Sequence, residues 1–131
     1  MDPAPRHQAR ERALTLLYEA ELKGTTPAEV LDGLPMAPDA YTVMLVRSVE
    51  ARGSEIDAMV DGAAIDWDIQ RMAVVDRNVL RVAVAELLER PEVPTAVILN
   101  EAVELASAYS TDDSGRFVNG VLATLAGHIR G

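Results

Sequence analysis

Apolar residues recur along most of the chain at three- and four-residue intervals, and the breaks between these runs fall at glycines and prolines. Ala9, Ala13, Leu16, Leu17 and Ala20 share one face of a predicted helix from about Pro5 to Lys23, which Gly24 ends. Thr26-Pro27-Ala28-Glu29 has the form of a capping box with proline at the first helical position, so a short second helix should follow, closed by Gly33, Pro35 and Pro38. Asp39 or Ala40 opens a long third helix that carries Met44, Leu45, Val49, Ile56, Met59, Val60 and Ala63 inward. Within it Gly53 marks either a close crossing or a bend. Asp66 and Asp68 flank Trp67, and each suits the N-cap of a short fourth helix; Trp67 reads as a packing anchor between two helical groups rather than a base-stacking ring. Asp76 is the expected cap of a fifth helix to about Arg90, apolar almost all round. Arg81 interrupts that surface, either to neutralise Glu101 or Glu104 or to face nucleic acid from an edge.

The stretch from Val93 to Leu125 predicts two helices joined by a polar turn. Pro94 precedes the first, which should be mostly buried, with Asn100, Glu101, Glu104 and Ser107 as a narrow polar stripe. Thr111, Asp112, Asp113 and Ser114 can accept bonds from the free N–H groups of the next helix, which turns Phe117, Val118, Val121, Leu122, Leu125 and Ile129 inward. Gly120 inside that helix suggests a close neighbour. The fold class expected is all-α: about seven helices in two packed small bundles, an N-terminal one of residues 1–65 and a C-terminal one of residues 66–131, forming a single domain.

Composition narrows the chemistry. The chain has no cysteine, which removes disulfides and thiolate metal ligation and fits a cytoplasmic location. No apolar run approaches the roughly 20 residues that span a bilayer. His7 and His128 stand at opposite ends, and no HExxH or GxSxG pattern occurs, so no catalytic residue, metal site or cofactor is expected. Glu101 and Glu104 lack a histidine partner in sequence. A net charge of -9 opposes nonspecific binding to nucleic acid, so any RNA site must be local. Arg6 and Arg10, four residues apart with His7 adjacent, can bridge phosphates or stack on unpaired bases, although arginines at a helix start are more often a solvated face. The turn from Ser110 to Arg116 can hold a phosphate or merely cap its helix.

A family resemblance sharpens these readings. The run VPTAVILNEAVELASAYSTDDSGRFVNGVL, preceded by VVDRNVLRVAVAELL, resembles the C-terminal half of the NusB family of transcription antitermination factors. RHQARERALTLLYEAEL resembles the family's first helix, and the match is weakest from Asp32 to Asp39. The resemblance implies the NusB-like fold and an arginine-rich RNA-binding motif at Arg6, His7 and Arg10, thinned because His7 and Gln8 stand where relatives often carry arginine. It further implies RNA contacts from Asp113, Arg116, Phe117 and Asn119. A protein partner, NusE, a small basic ribosomal protein of the small subunit, is expected at Tyr18 and Asp76. The implied function is binding of single-stranded boxA leader RNA and assembly with RNA polymerase into a complex that suppresses termination, chiefly in ribosomal RNA operons. Alternatives are the RNA-binding domain of a ribosomal RNA cytosine methyltransferase, or a protein-interaction module without RNA binding. A homodimer formed through the first helix or Phe117 is a further expectation.

Overall fold

A computed structural model describes residues 6–64 and 68–131; Pro3, Pro5, Asp66 and Trp67, with the roles expected of them, lie outside the described residues. The elements are helices α1 (Arg6–Lys23), α2 (Pro27–Asp32), α3 (Ala40–Ala51), α4 (Gly53–Ala63), α5 (Val74–Glu89), α6 (Thr95–Tyr109) and α7 (Asp112–Arg130), with a 3-10 turn at Ile69–Arg71. No strand occurs among the described residues, and the all-α expectation holds.

Local signals set most helix ends. Gly24 takes a φ of 65°, open to glycine at little cost, and stops α1. The Thr26 hydroxyl accepts the Glu29 N–H at 3.1 Å, and the Thr111 hydroxyl accepts the Ser114 N–H at 3.0 Å. Asp39 accepts from the Tyr41 N–H at 2.9 Å and starts α3, while Asp68 accepts from Gln70 at 2.9 Å to start the 3-10 turn.

Three expectations about helix boundaries and glycines change. The long third helix is two helices that break at Arg52, and a Cβ on Gly53 would meet nothing within 4 Å, so this glycine marks a bend and not a crossing. Asp76 does not cap α5: Ala73 holds the N-cap position, and Asp76 sits in the first turn, where it accepts a bond from the Ser114 hydroxyl at 3.0 Å. Gly120 has no close neighbour; the tight approach of α7 to α6 is at Gly115, whose missing Cβ would strike Ser107 Oγ and lie 3.4 Å from Val103. The polar stripe of α6 is therefore partly covered, and α6 as a whole is amphipathic, with only Ile98, Ala102, Leu105 and Ala106 buried.

Helix α5 is the shared wall. It packs against α1 and α3 on one side and α4, α6 and α7 on the other, and its Val79, Leu80, Val84 and Ala85 belong to one continuous apolar cluster. Charges inside this wall are paired. Arg10 is 4 % exposed and grips Glu86 through two bonds of 2.7 and 2.6 Å, so the expectation that it stands beside Arg6 to bridge phosphates or stack on bases is corrected. Arg81 pairs with Asp57 at 2.9 Å and Glu21 at 2.8 Å, rather than with Glu101 or Glu104, because α5 runs antiparallel to α1, which brings Glu21 beside it, and packs on α4, which brings Asp57.

Removing one member of the Arg10–Glu86 pair leaves an uncompensated buried charge, so Arg10→Ala is expected to lower unfolding free energy by about 3–5 kcal/mol in urea titration. Gly120→Ala, on an exposed helical position, should raise it by about 0.4–1 kcal/mol. Gly115→Val should lower it by about 1–3 kcal/mol through overpacking of the α6–α7 crossing.

Candidate nucleic-acid interface

The beginning of α1 and the turn before α7 meet on one side of the molecule. His7 Nδ1 lies 2.6 Å from Glu101 Oε2 of α6, and the hydroxyl of Tyr109, at the end of α6, donates to Glu11 at 2.8 Å. Between α1 and the start of α3, with Tyr109 beside it, opens a cleft of about 510 Å³ lined by Gln8, Arg12, Thr15, Asp39 and Tyr109 among others. A second cleft of about 380 Å³ joins Asp76 of α5 to Asp113, Ser114 and Phe117 of α7, with Arg71 on its rim. Of the sequence-predicted residues, Asp76, Asp113 and Phe117 share the second cleft, His7 lies against α6, and Arg10 is buried.

Their charge is not what the sequence suggests. His7 is matched by Glu101, Arg10 by Glu86, and the exposed Arg116 by Asp113 one turn earlier. The expected cationic corner is largely self-neutralised, because the acids that give the chain its net charge also line this face. Arg6 and Arg12 remain exposed with no carboxylate partner among the described residues, and the Arg6 guanidinium lies over the Tyr41 ring, 4.8 Å from its centre. The hydrogen bond and charge of Glu101 raise the His7 pKa above its usual 6.5, with smaller help from Glu11 and Glu104. The His7, Glu101 and Glu104 ligand atoms lie within 4.8 Å of one another, so a histidine partner absent from the local sequence is supplied across the fold. Arg10 Nη1, 4.0 Å from Glu101, already offsets part of that negative charge.

Asp76 is the converse case. Its Oδ2 accepts from Ser114, yet its buried Oδ1 has no hydrogen-bond partner, and burial pushes its carboxyl pKa up against the opposing Ser114 bond. Such an oxygen is ready for an incoming donor.

Comparison with known proteins places the chain. A model of the NusB family matches residues 7–127. The chain belongs to that family. It is similar to the transcription antitermination protein NusB of Acidothermus cellulolyticus, 48% identical over 92% of this chain and 86% of that one. It is equally similar to NusB of Saccharopolyspora erythraea, 48% identical over 93% of this chain and 86% of the relative. Among solved structures, T. maritima NusB superposes with a TM-score of 0.86 at 30% identity, covering 96% and 93% of the two chains. A complex of antitermination factors NusB and NusE with dsRNA superposes with a TM-score of 0.80 at 30% identity, covering 94% and 96%. The NusB family is one of antitermination factors, not enzymes.

On this NusB fold, Arg6, Asn119 and Arg116 are exposed, Phe117 is half-buried, and Tyr18 is 38% exposed on α1. Several residues of this face went unnoticed in the sequence. Leu22, one turn beyond Tyr18, is 66% exposed and extends its apolar patch. Glu86 was hidden by the apolar run around it, although an acid within a buried helix is itself a signal for a buried cation. Tyr41 and Arg90 carry no local motif.

The imidazole of His7 should titrate above 6.5 when followed by NMR, and Glu101→Gln should return it toward that value. Since its folded pKa is raised, the support this pair gives α1 is present below the ordinary histidine range and is lost as pH rises through the raised value.

Proposed function

We propose that this NusB-family protein acts as a cytoplasmic antitermination factor that binds boxA-type single-stranded leader RNA together with NusE and joins the RNA polymerase antitermination complex on ribosomal RNA operons. The observation that carries this reading is the contact of the first turns of α1 with α6, through His7–Glu101 and Glu11–Tyr109, which sets the arginines of α1 beside the helix that leads into the 110–116 turn. One cleft holds Arg12 and Tyr109 and the other Asp113 and Phe117, so cations, aromatic rings and acceptors for base amino groups are all on offer. The similar complex of NusB and NusE with dsRNA supports both partners. Single-stranded RNA suits the face better than a duplex, since exposed Tyr109 and half-buried Phe117 can stack only on bases that are unpaired.

The mechanism is assembly. Arg6 and Arg12 attract the backbone, while Asp113, Arg116 and Asn119 reach base edges or phosphates after their internal pair opens. Opening that pair offsets part of the gain, so affinity without NusE is weak. NusE, a basic protein, docks on the acidic body at Tyr18 and Asp76, with Leu22 widening the apolar contact, and complementary charge speeds the encounter.

Labelled single-stranded boxA RNA and its duplex, titrated with and without NusE across salt, test the proposal. Tight binding of the single strand with NusE and much weaker binding alone are expected, with log K falling by about 0.7 per log unit of salt for each phosphate neutralised. Failure of the single strand to bind at low salt with NusE present would sink it. Asp76→Asn gives a second check. Because burial raises the pKa of this carboxyl, its ionised form loses stability as pH climbs through that raised value, so the asparagine variant should melt higher at neutral pH yet bind NusE more weakly.

A further inference from the structure

If His7, Arg10 and Arg116 are each occupied by a carboxylate, the positive charge that draws RNA phosphates to this face must sit elsewhere. The ring of Tyr41 supplies a place. The guanidinium carbon of Arg6 lies 4.8 Å from its centre and that of Arg90 lies 5.3 Å from it, so one aromatic ring gathers cations from the start of α1 and the end of α5. We propose that Arg6 and Arg90, held on the Tyr41 ring, form an additional phosphodiester-binding site that extends the RNA path from α1 toward the α5–α6 connection. The inference rests on the RNA-binding reading above.

Each part of the arrangement is fixed from beneath. The Tyr41 hydroxyl donates to Glu86 at 2.5 Å, and Glu86 is itself clamped by Arg10, so the ring is tethered to a fixed carboxylate and swings away only by breaking that bond. The Arg90 backbone is anchored through its carbonyl, which accepts from Arg130 at 2.8 Å. Among the described residues Arg6 has no carboxylate partner, and the one beside Arg90 is Glu92 at 3.7 Å, a loose pair in which Arg90 is half-buried and its buried Nε has no hydrogen-bond partner among the described residues. Two like charges brought to one ring repel each other, and an anion bridging them relieves that repulsion. A phosphodiester has the charge and the acceptor oxygens to do so, and guanidinium forks match its geometry.

The test uses the full chain with NusE and single-stranded boxA RNA. Arg90→Ala should weaken binding about tenfold and reduce the salt slope by about 0.7, the increment for one phosphate contact on a single strand. Tyr41→Leu should lose as much or more, whereas Tyr41→Phe, which keeps the ring and drops the hydroxyl that holds it, should lose less than Tyr41→Leu. Arg47→Ala, an exposed arginine on another side of α3, controls for net charge and should leave binding unchanged. Unaltered affinity and slope in Arg90→Ala, with the unaltered protein still binding, would overturn this site while leaving the RNA reading intact. A readout without RNA keeps the platform testable: the ring-current shifts of the Arg6 and Arg90 δ-protons should vanish in Tyr41→Leu and persist in Tyr41→Phe. Their absence in the unaltered protein would overturn the platform.

Discussion

A single buried contact, the two-pronged grip of Arg10 on Glu86, sets the geometry of the whole N-terminal face. Glu86 is 1% exposed in the last turn of the central helix, where an unpaired carboxylate would be untenable, so α1 must approach α5 at the one register that delivers a guanidinium to it. That register then carries Glu21 to Arg77 and Arg81 at the other end of α1. It also fixes where Arg6, His7 and Arg12 stand relative to α6. Whether the pair adds net stability over an apolar replacement matters less than its directional demand, since apolar packing alone tolerates slippage between two smooth helices.

The α6–α7 pair provides the complementary constraint. Gly115 lets the start of α7 settle against Val103 and Ser107, which buries Ser114 and brings its hydroxyl to Asp76. The turn is therefore held from two directions: by its own Thr111 cap and by a bond to the first turn of α5. Its outward residues, Asp113 and Arg116, stay exposed on a rigid base, a better arrangement for recognition than a loose loop.

How much of this could be read in the sequence depended on the distance between interacting residues. Thr26, Asp39 and Thr111 cap their helices within three residues, and local patterning revealed each of them. The periodic apolar positions of α1, α5 and α7 likewise located the core, since a face is a local property of one helix. Asp76 was misread as a cap because its partner Ser114 is 38 positions away. Arg10 was placed on the surface because Glu86 is 76 positions away, and Arg81 was assigned to acids of α6 when those of α1 and α4 lie closer in the fold. Gly120 and Gly115 look alike in sequence; only the crossing of two helices separates the one that is needed from the one that is not. Family likeness pointed to residues of this face but could not reveal that His7, Arg10 and Arg116 are already matched by carboxylates.

The carboxylates beside His7 and Arg116 behave as built-in counter-ions. A bare polyanion such as bulk duplex DNA would have to displace them and leave them stranded, and would gain little. A ligand that brings both phosphates and unpaired bases can satisfy the released arginine and, through its exocyclic amines, the released acid as well. In the RNA-binding role proposed above, the acidic lining would work as a filter, giving up raw affinity for discrimination against the many anionic polymers that compete for any arginine-bearing surface.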